Sequence, residues 1–334
     1  MYFLLICIPV LILLLLFSAY AYYVAFYAPK NKRNNIDTPL HGAQYEAVSE
    51  YIFKISHIMA KVPHEAVTIS SFDDCKLYGR YYHIKDGAPL MILFHGYRSC
   101  AFRDCSGGHA LSRKMGFNAL VVDQRAHGDS GSNTISFGIK ERRDCLCWVH
   151  YANTRVGENT PIILWGLSMG AATVLMAAGL DLPENVSCIL ADSPYSAPAA
   201  IIEKVCADLH YPVKICRPFI HLGALLFGHF KLNSCTAKES VRNSKVPILL
   251  IHGEDDLLVP FSMSYEIVNC RASSVVVHTF PEAGHGLSYM TDPIRYEQVI
   301  YNFLESIPEV SRHISYQFRQ AYSAGINKKM ANPG

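Results

Sequence analysis

The chain has 334 residues, of which 50% are hydrophobic and 17% are charged, so it can bury a large core and does not have the composition of a disordered protein. Its 30 basic and 28 acidic residues nearly balance, and no basic block runs through the body of the chain, which argues against a nucleic-acid partner. The 11 cysteines are scattered, without a CxxC pair. Scattered thiols are typical of a reducing compartment, and no His/Cys cluster has the spacing of metal ligands.

The chain opens with an apolar segment, residues 2–28, that carries no charged side chain and is long enough to span a membrane as a helix. The alternative is a signal peptide cleaved at residues 19–21. Against it, no Lys or Arg precedes the apolar core, and the apolar run continues past that site. Three basic residues lie within residues 30–33, so residues 1–28 are predicted to be a single-pass anchor with the following domain in the cytoplasm.

Residues 29–65 combine a polar linker with an amphipathic helix, predicted at residues 43–59. Its apolar positions recur at helical spacing: Tyr45, Val48, Ile52, Ile55 and Met59. We expect this helix to dock on the folded domain; the alternative is that it lies on the membrane surface.

Residues 66–310 alternate between strand and helix patterns and are predicted to form one α/β domain. The first two strands, at 67–71 and 77–84, are joined through the turn signal Asp73-Asp74. Further strands are predicted at 90–94, 119–123, 162–165, 186–191, 248–251 and 275–280, and helices at 105–114, 138–151, 169–178, 262–269 and 293–307. Strands separated by helices pair in parallel. The ligand crevice of such a sheet lies beyond the carboxyl ends of its strands.

An insertion, residues 193–246, interrupts this alternation without an obvious strand. Its middle, residues 218–230, is markedly apolar. The insertion is predicted to be helical, either as a lid that shapes an apolar acyl pocket or as a helix pair packed on the domain. The polar tail, residues 311–334, is predicted to be frayed.

The stretch Gly166-Leu-Ser-Met-Gly170 lies between a predicted strand and a predicted helix. A serine hydroxyl is a poor nucleophile at neutral pH, so catalysis needs it held clear of the backbone, close to a base and close to N–H groups. A sharp strand–turn–helix element exposes Ser168 in this way, and the flanking glycines let neighbouring chain segments approach. Ser168 is therefore the candidate nucleophile.

The candidate base is one of five histidines that precede glycine. His41 lies in the linker, His95 and His252 directly end strands, and His127 lies in a loop with the pattern of a structural turn. His285 lies in the loop after the last predicted strand, and it comes last in the chain order Ser, acid, His. His285 is therefore the predicted base.

The candidate acids follow two different strands. Glu254, Asp255 and Asp256 come after the penultimate predicted strand, and Asp192 ends the strand that follows the serine helix. Any of them could face the crevice and orient an imidazole.

Taken together, these motifs resemble the α/β-hydrolase superfamily in kind and in order. The matching segments are His95-Gly-Tyr97, Asp123-Gln-Arg-Ala-His-Gly128, Gly166-Leu-Ser-Met-Gly170, His252-Gly-Glu-Asp-Asp256 with Val259-Pro260, and Gly284-His-Gly286. Within the superfamily, residues 67–305 most resemble membrane-anchored bacterial members of the serine aminopeptidase-like (S33) and BEM46-like group. The resemblance implies a mostly parallel central sheet with helices on both faces and a helical cap insertion. One departure is Ala126, where many relatives have glycine.

The resemblance also implies roles for individual residues. It assigns the acid to Asp256, and it assigns the two donors of an oxyanion hole to the backbone N–H groups of Met169 and Tyr97. The implied protein is a cofactor-independent serine hydrolase that cleaves a small carboxylic ester or acyl substrate through an acyl enzyme. The alternatives are a serine peptidase or amidase using the same triad and a non-catalytic, membrane-tethered binding module.

Overall fold

A computed structural model describes residues 2–40, 42–271 and 274–322, and an eight-stranded sheet forms its centre. The strands are β1 (Glu65–Ser70), β2 (Lys76–Tyr82), β3 (Leu90–Phe94), β4 (Asn118–Asp123), β5 (Ile162–Leu167), β6 (Val186–Asp192), β7 (Ile248–Gly253) and β8 (Val275–Phe280). Their spatial order is β1-β2-β4-β3-β5-β6-β7-β8. The pairs β1–β2 and β2–β4 are antiparallel and all others are parallel, which confirms the predicted, mostly parallel α/β sheet.

The helices surround this sheet. They are α1 (Tyr2–Ala25), α2 (Ser49–Ala60), α3 (Ala101–Asp104), α4 (Ser106–Met115), α5 (Glu141–Val156), α6 (Met169–Ala177), α7 (Pro198–Asp208), α8 (Val213–Leu226), α9 (Ala237–Arg242), α10 (Ser262–Val268), α11 (Ser288–Thr291), α12 (Pro293–Glu305) and α13 (Pro308–Ser311).

Successive side chains of the central strands pack alternately into two separate hydrophobic cores. Along β5, Ile162 and Leu164 pack into the core that contains α5 and α6. Ile163 and Trp165 pack into the core that contains α4 and α12. Because successive side chains of a strand point to opposite faces, this division places helices on both faces of the sheet.

The insertion, residues 193–246, is helical and contains α7, α8 and α9. Helix α8 packs along the second half of α1: the rings of Phe219 and Phe17 lie 5.4 Å apart. A Cβ at Gly223 would lie 2.4 Å from the carbonyl oxygen of Ser18, so the close approach of the two helices requires a glycine. This packing agrees with the prediction that the insertion is a helix pair packed on the domain. Helix α1 forms part of the surface against which it packs.

The chain that follows α1 is tied to the domain. Phe26 is fully buried, and the Arg33 guanidinium donates to the carbonyl oxygens of Gly128 and Ser130 at 2.9 and 2.6 Å. Arg98 donates to the carbonyl oxygens of Val24 and Tyr27 at 2.9 and 3.0 Å, close to where α1 ends. The end of α1 is therefore part of the folded domain.

Most elements begin and end within two residues of their predicted bounds, and two helices differ by more. The helix expected at residues 43–59 is split into a short 3₁₀ turn, Ala43–Tyr45, and α2. The helix expected to begin at Gly138 begins at Glu141, because Gly138 has a φ of 92°, which does not fit an α-helix.

The tail also differs from its prediction. Its described part, residues 311–322, is packed rather than frayed: Ile314 and Phe318 are buried, and the Ser315 N–H donates to the carbonyl oxygen of Met115 at 2.8 Å. Aromatic and aliphatic side chains spaced four residues apart give this segment an apolar face. The rest of the predicted tail, residues 323–334, and the linker residue His41 lie outside the described residues.

Candidate active site

Ser168 occupies the sharp turn between β5 and α6. Its φ of 56° and ψ of −115° lie outside the regions that a residue with a Cβ ordinarily adopts, at a cost of about 1–3 kcal/mol. Both neighbouring glycines are required by close approach. A Cβ at Gly166 would lie 2.3 Å from the backbone of Gly170, and one at Gly170 would lie 2.1 Å from the carbonyl oxygen of Phe94.

Ser168, His285 and Asp256 form a continuous chain of hydrogen bonds. The Ser168 Oγ lies 2.9 Å from Nε2 of His285, and Nδ1 of the same ring lies 2.7 Å from Oδ2 of Asp256. The three residues come from turns after β5, β7 and β8, at the carboxyl ends of three parallel strands. In this geometry the histidine can accept the serine proton while the carboxylate holds the ring.

Asp256 is the carboxylate, among the four candidates, that reaches His285. Its second oxygen, Oδ1, accepts the N–H groups of Leu258 and Val259 at 3.0 and 2.8 Å. Burial raises the pKa of this group, but contacts from His252 and His285 and the Val259 N–H outweigh that effect and hold the pKa well below its usual range. The carboxylate is therefore charged at neutral pH.

The other three candidate acids lie elsewhere. Glu254 and Asp255 are exposed. Asp192 is buried and accepts hydrogen bonds from the Tyr296 hydroxyl at 2.9 Å and from the Ser193 hydroxyl at 3.1 Å. Burial raises its pKa to about 6.

The remaining described histidines that precede glycine are engaged with loop backbone. His95 Nε2 accepts the Gln124 N–H at 3.0 Å, and His127 Nε2 accepts the Arg98 N–H at 2.9 Å. His252 Nε2 donates to the carbonyl oxygen of Val259 at 2.8 Å. Burial lowers the pKa of both His95 and His127, so these two rings are neutral structural groups.

Ala126 lies in the loop that these histidines support. Its φ is 61°, in the left-handed region that glycine adopts without strain, whereas a residue with a Cβ pays about 1–2 kcal/mol there. The departure from glycine that the sequence showed at this position therefore affects only the loop backbone.

The two predicted oxyanion donors flank the serine. Met169 begins α6, and Tyr97 follows Gly96, whose added Cβ would lie 3.4 Å from the Cβ of Ser168. The Gly96 N–H donates to Oδ2 of Asp104 at 2.7 Å. Within the described residues, the N–H groups of Met169 and Tyr97 donate to no protein acceptor, so both are free to meet a ligand.

The roof of the site comes from the segment before the domain, residues 42–60, which we call the strap. The Gln44 Oε1 accepts the His285 N–H at 2.9 Å, and the Tyr45 hydroxyl donates to the His285 carbonyl oxygen at 3.1 Å. Helix α2 packs on α3 and α4 with Ile52 and Met59 buried. The sequence indicated that this helix docks, but no pattern in it pointed to the histidine loop.

A cavity of about 240 Å³ opens above Ser168 beneath the strap. Its apolar lining includes Leu40, Ile52, Ile55, Leu258, Leu287 and Met290. None of its described lining residues belongs to the insertion, residues 193–246. The insertion therefore does not line this cavity, and its helix α8 packs against α1 instead.

Two carboxylates also line this cavity, and both already have partners. Asp104 accepts the Gly96 N–H through Oδ2 and the Ser99 hydroxyl through Oδ1 at 2.5 Å. Asp192 is only 4% exposed. The cavity therefore presents a mainly apolar surface to a ligand.

Comparison with known proteins places the chain among hydrolases. It is 24% identical over 229 residues to the uncharacterized protein YqkD of Bacillus subtilis (strain 168), a match that covers 68% of this chain and 75% of that protein. It is 25% identical over 200 residues to the lysophosphatidylserine lipase ABHD12 of Danio rerio, which covers 56% of this chain. The chain spans about half the length of that lipase, 48%.

A solved structure shares the fold. The esterase PF2001 of Pyrococcus furiosus aligns with a TM-score of 0.61 and 23% identity, over 74% of this chain and 92% of that one. The expected α/β-hydrolase fold is thus confirmed. The model of the prolyl oligopeptidase family, Peptidase_S9, matches residues 106–308, which is more than half of the chain and includes all three hydrogen-bonded residues. The chain is therefore a hydrolase of the α/β-hydrolase type that belongs to the prolyl oligopeptidase family.

Proposed function

We propose that the protein is a serine hydrolase that cleaves a carboxylic ester through an acyl enzyme. The observation that carries the proposal is the hydrogen-bonded chain Ser168–His285–Asp256, with distances of 2.9 and 2.7 Å, beneath a mainly apolar cavity. A lysophosphatidylserine lipase among the relatives and an esterase among the structural neighbours support an ester substrate.

In the first half of the reaction, His285 takes the proton of Ser168 as the serine oxygen attacks the carbonyl carbon. Asp256 holds the imidazole in the required tautomer and stabilises its charged form. The N–H groups of Met169 and Tyr97 receive the negative oxygen, and each such donor is worth about a hundredfold to a thousandfold in rate. His285 then protonates the alcohol that leaves.

In the second half, a water molecule gives its proton to His285 and attacks the acyl enzyme. The tetrahedral species uses the same two N–H donors, and its collapse returns the proton to Ser168 and releases the acid. Every proton transfer in this cycle is between His285 and an oxygen atom. The proton transfers therefore need only the residues of this chain, the substrate and one water molecule.

A fluorophosphonate probe tests the enzyme proposal. The wild-type protein should be labelled, and Ser168→Ala should not be, because the probe reacts only with an activated serine. Circular dichroism of the variant checks that it is folded. If folded wild-type protein takes no label at Ser168, the enzyme proposal is contradicted. The protein would then be better described as a non-catalytic binding module.

A serine peptidase or amidase is the second candidate, favoured by the name of the matched family. Recognition of a peptide amino terminus needs a carboxylate free to pair with it, and both cavity carboxylates, Asp104 and Asp192, already have partners. The esterase and the peptidase are discriminated by comparing turnover of short-chain p-nitrophenyl esters with turnover of aminoacyl p-nitroanilides. Each rate is taken relative to the uncatalysed rate of the same substrate. Greater acceleration of the anilides would favour the peptidase.

We further propose that α1 anchors the protein in a membrane, with the hydrolase domain in the cytoplasm. Residues Cys7–Ala25 form the helix, within the described part of the chain, that is long and apolar enough to cross a membrane, with a mean hydropathy of 2.2. Cleavage at residues 19–21 would remove Ser18 and its contact with Gly223, which supports a retained helix. A reporter fused after Gly334 tests the orientation, and an external signal would reverse it.

A further inference from the structure

Helix α8 runs parallel to the domain-side end of α1. Three contacts join them: Phe17 with Phe219, Ser18 with Gly223, and Tyr22 with Phe227. Because residue numbers rise together along both helices, the first turn of α8 points towards the start of α1 and away from the sheet. Small residues at such a crossing are typical of helices that meet within a membrane.

The turn between α7 and α8 and the first turn of α8, residues 209–215, which we call the tip, expose large apolar side chains. Leu209, Tyr211 and Ile215 are 61%, 54% and 62% exposed. The start of α7 is buried on the domain through Ile201 and Ile202. The exposed fractions of the apolar side chains are therefore largest at the end of this hairpin that lies away from the core, since Leu225 and Leu226 at the other end of α8 are 45% and 41% exposed. Exposed apolar patches of this kind mark interaction surfaces.

The contact between α8 and α1 lies close to the end of α1, where a membrane-spanning α1 would reach the membrane interface. Helix α8 meets α1 at residues 17–22, a short distance before the basic residues Lys30 and Lys32. Lys214 lies in the first turn of α8, where its long side chain can reach a lipid phosphate while its stem stays on apolar surface. Arg217, in the second turn, pairs with Glu203 of α7 at 2.6 Å. Apolar side chains combined with Lys and Arg are typical of helices that lie in the interface of an anionic bilayer.

We propose that the α7–α8 hairpin, residues 198–226, is a second membrane-contacting element. Its tip enters the boundary between headgroups and acyl chains of an anionic bilayer, beside α1. The inference rests on the proposed anchoring by α1 and goes beyond it, since a second contact limits how far the domain can tilt on the bilayer surface. It also accounts for the apolar insertion, which lines no part of the cavity.

Quenching by brominated lipids tests this inference on the full chain. The protein is reconstituted into phosphatidylcholine–phosphatidylglycerol vesicles with bromine in the acyl chains. Ile215→Trp and Leu209→Trp each place a tryptophan at the tip. The native Trp148 and Trp165 are 1% and 4% exposed, so the wild type supplies the background. Ile294→Trp is the matched control, because Ile294 is 76% exposed at the start of α12.

The expected result is a loss of the added fluorescence at positions 209 and 215 and no loss at position 294. Vesicle-bound protein without quenching at 209 and 215 would overturn the hairpin contact and leave the anchor in place. Equal quenching at 294 would also overturn it, because the contact would not be specific to the hairpin. Protein that does not float with the vesicles would overturn the anchor and the hairpin together, while labelling of Ser168 would still test the enzyme separately.

Discussion

The carboxylate of Asp256 is surrounded by donors that fix both of its oxygens. One oxygen faces His285, and the other accepts two backbone N–H groups. Asp256→Asn should keep this packing but hold the imidazole in the wrong tautomer, which costs on the order of 10⁴-fold in kcat in a serine triad. Steady-state hydrolysis of a p-nitrophenyl ester measures the loss.

Asp255→Asn is the matched control, because the neighbouring side chain is exposed. It should leave kcat unchanged. If Asp255→Asn abolished activity and Asp256→Asn did not, the two roles would have to be exchanged.

The buried carboxyl of Asp192 predicts a pH dependence of stability. Burial raises its pKa from 3.8 to about 6, so the folded protein binds this proton more tightly than the unfolded chain does. The resulting stabilisation is complete below about pH 4 and is lost as the pH rises through 6, an effect of up to about 3 kcal/mol. Asp192→Asn should remove this loss, so its free energy of unfolding relative to the wild type should rise between pH 4 and pH 7.

Urea unfolding at the two pH values measures that difference directly. A difference that stays constant with pH would mean that Asp192 is ionised in the folded protein throughout this range.

At the scale of elements, the strap determines the size of the cavity. Ile55 lines the cavity from α2, so Ile55→Trp should fill space that a longer acyl chain needs. We expect kcat/KM for p-nitrophenyl octanoate to fall about tenfold or more relative to the acetate, since small changes in a hydrophobic pocket are worth about 1–3 kcal/mol.

Phe53→Trp serves as the control on the same helix, because Phe53 is 41% exposed and does not line the cavity. Equal loss of activity towards both esters in Ile55→Trp would indicate damage to the site rather than a change of chain-length preference.

The prediction of secondary structure succeeded where local sequence patterns determine the element. It failed where a tertiary contact competes with the local pattern. The strand β5, the turn at Ser168 and the helix α6 follow from a β-branched run, two glycines and small helical residues. The strap was predicted as one helix because its apolar spacing is continuous, but its first residues form a 3₁₀ turn from which Gln44 and Tyr45 reach the histidine loop. A tertiary contact outweighed the local periodicity there.

At the scale of the whole molecule, the Gly223–Ser18 contact joins α1 to the rest of the domain. Gly223→Ala would place a Cβ about 2.4 Å from the Ser18 carbonyl oxygen, so the helices would have to separate. We expect a cost of about 1–3 kcal/mol from this overpacking, seen as a lower midpoint of thermal unfolding in detergent, by about 2–4 °C per kcal/mol.

Leu225→Ala, at a 45% exposed position of the same helix, should change the midpoint little. An unchanged midpoint in Gly223→Ala would show that α1 and α8 do not pack closely in solution.

The sequence by itself determined the order of strands and helices, the long apolar helix at residues 2–25 and the identity of Ser168 and His285 as candidates. Each of these depends on residues close together in the chain, where periodicity, glycine and charge act locally. The family resemblance already assigned the acid to Asp256, and the tertiary structure showed that this carboxylate reaches His285. Only the tertiary structure decided that the strap rather than the insertion lines the cavity above Ser168 and that α8 packs on α1. These outcomes depend on where whole elements meet, and contacts such as Gln44 with His285 or Ser18 with Gly223 join residues more than two hundred positions apart, beyond the reach of any local pattern.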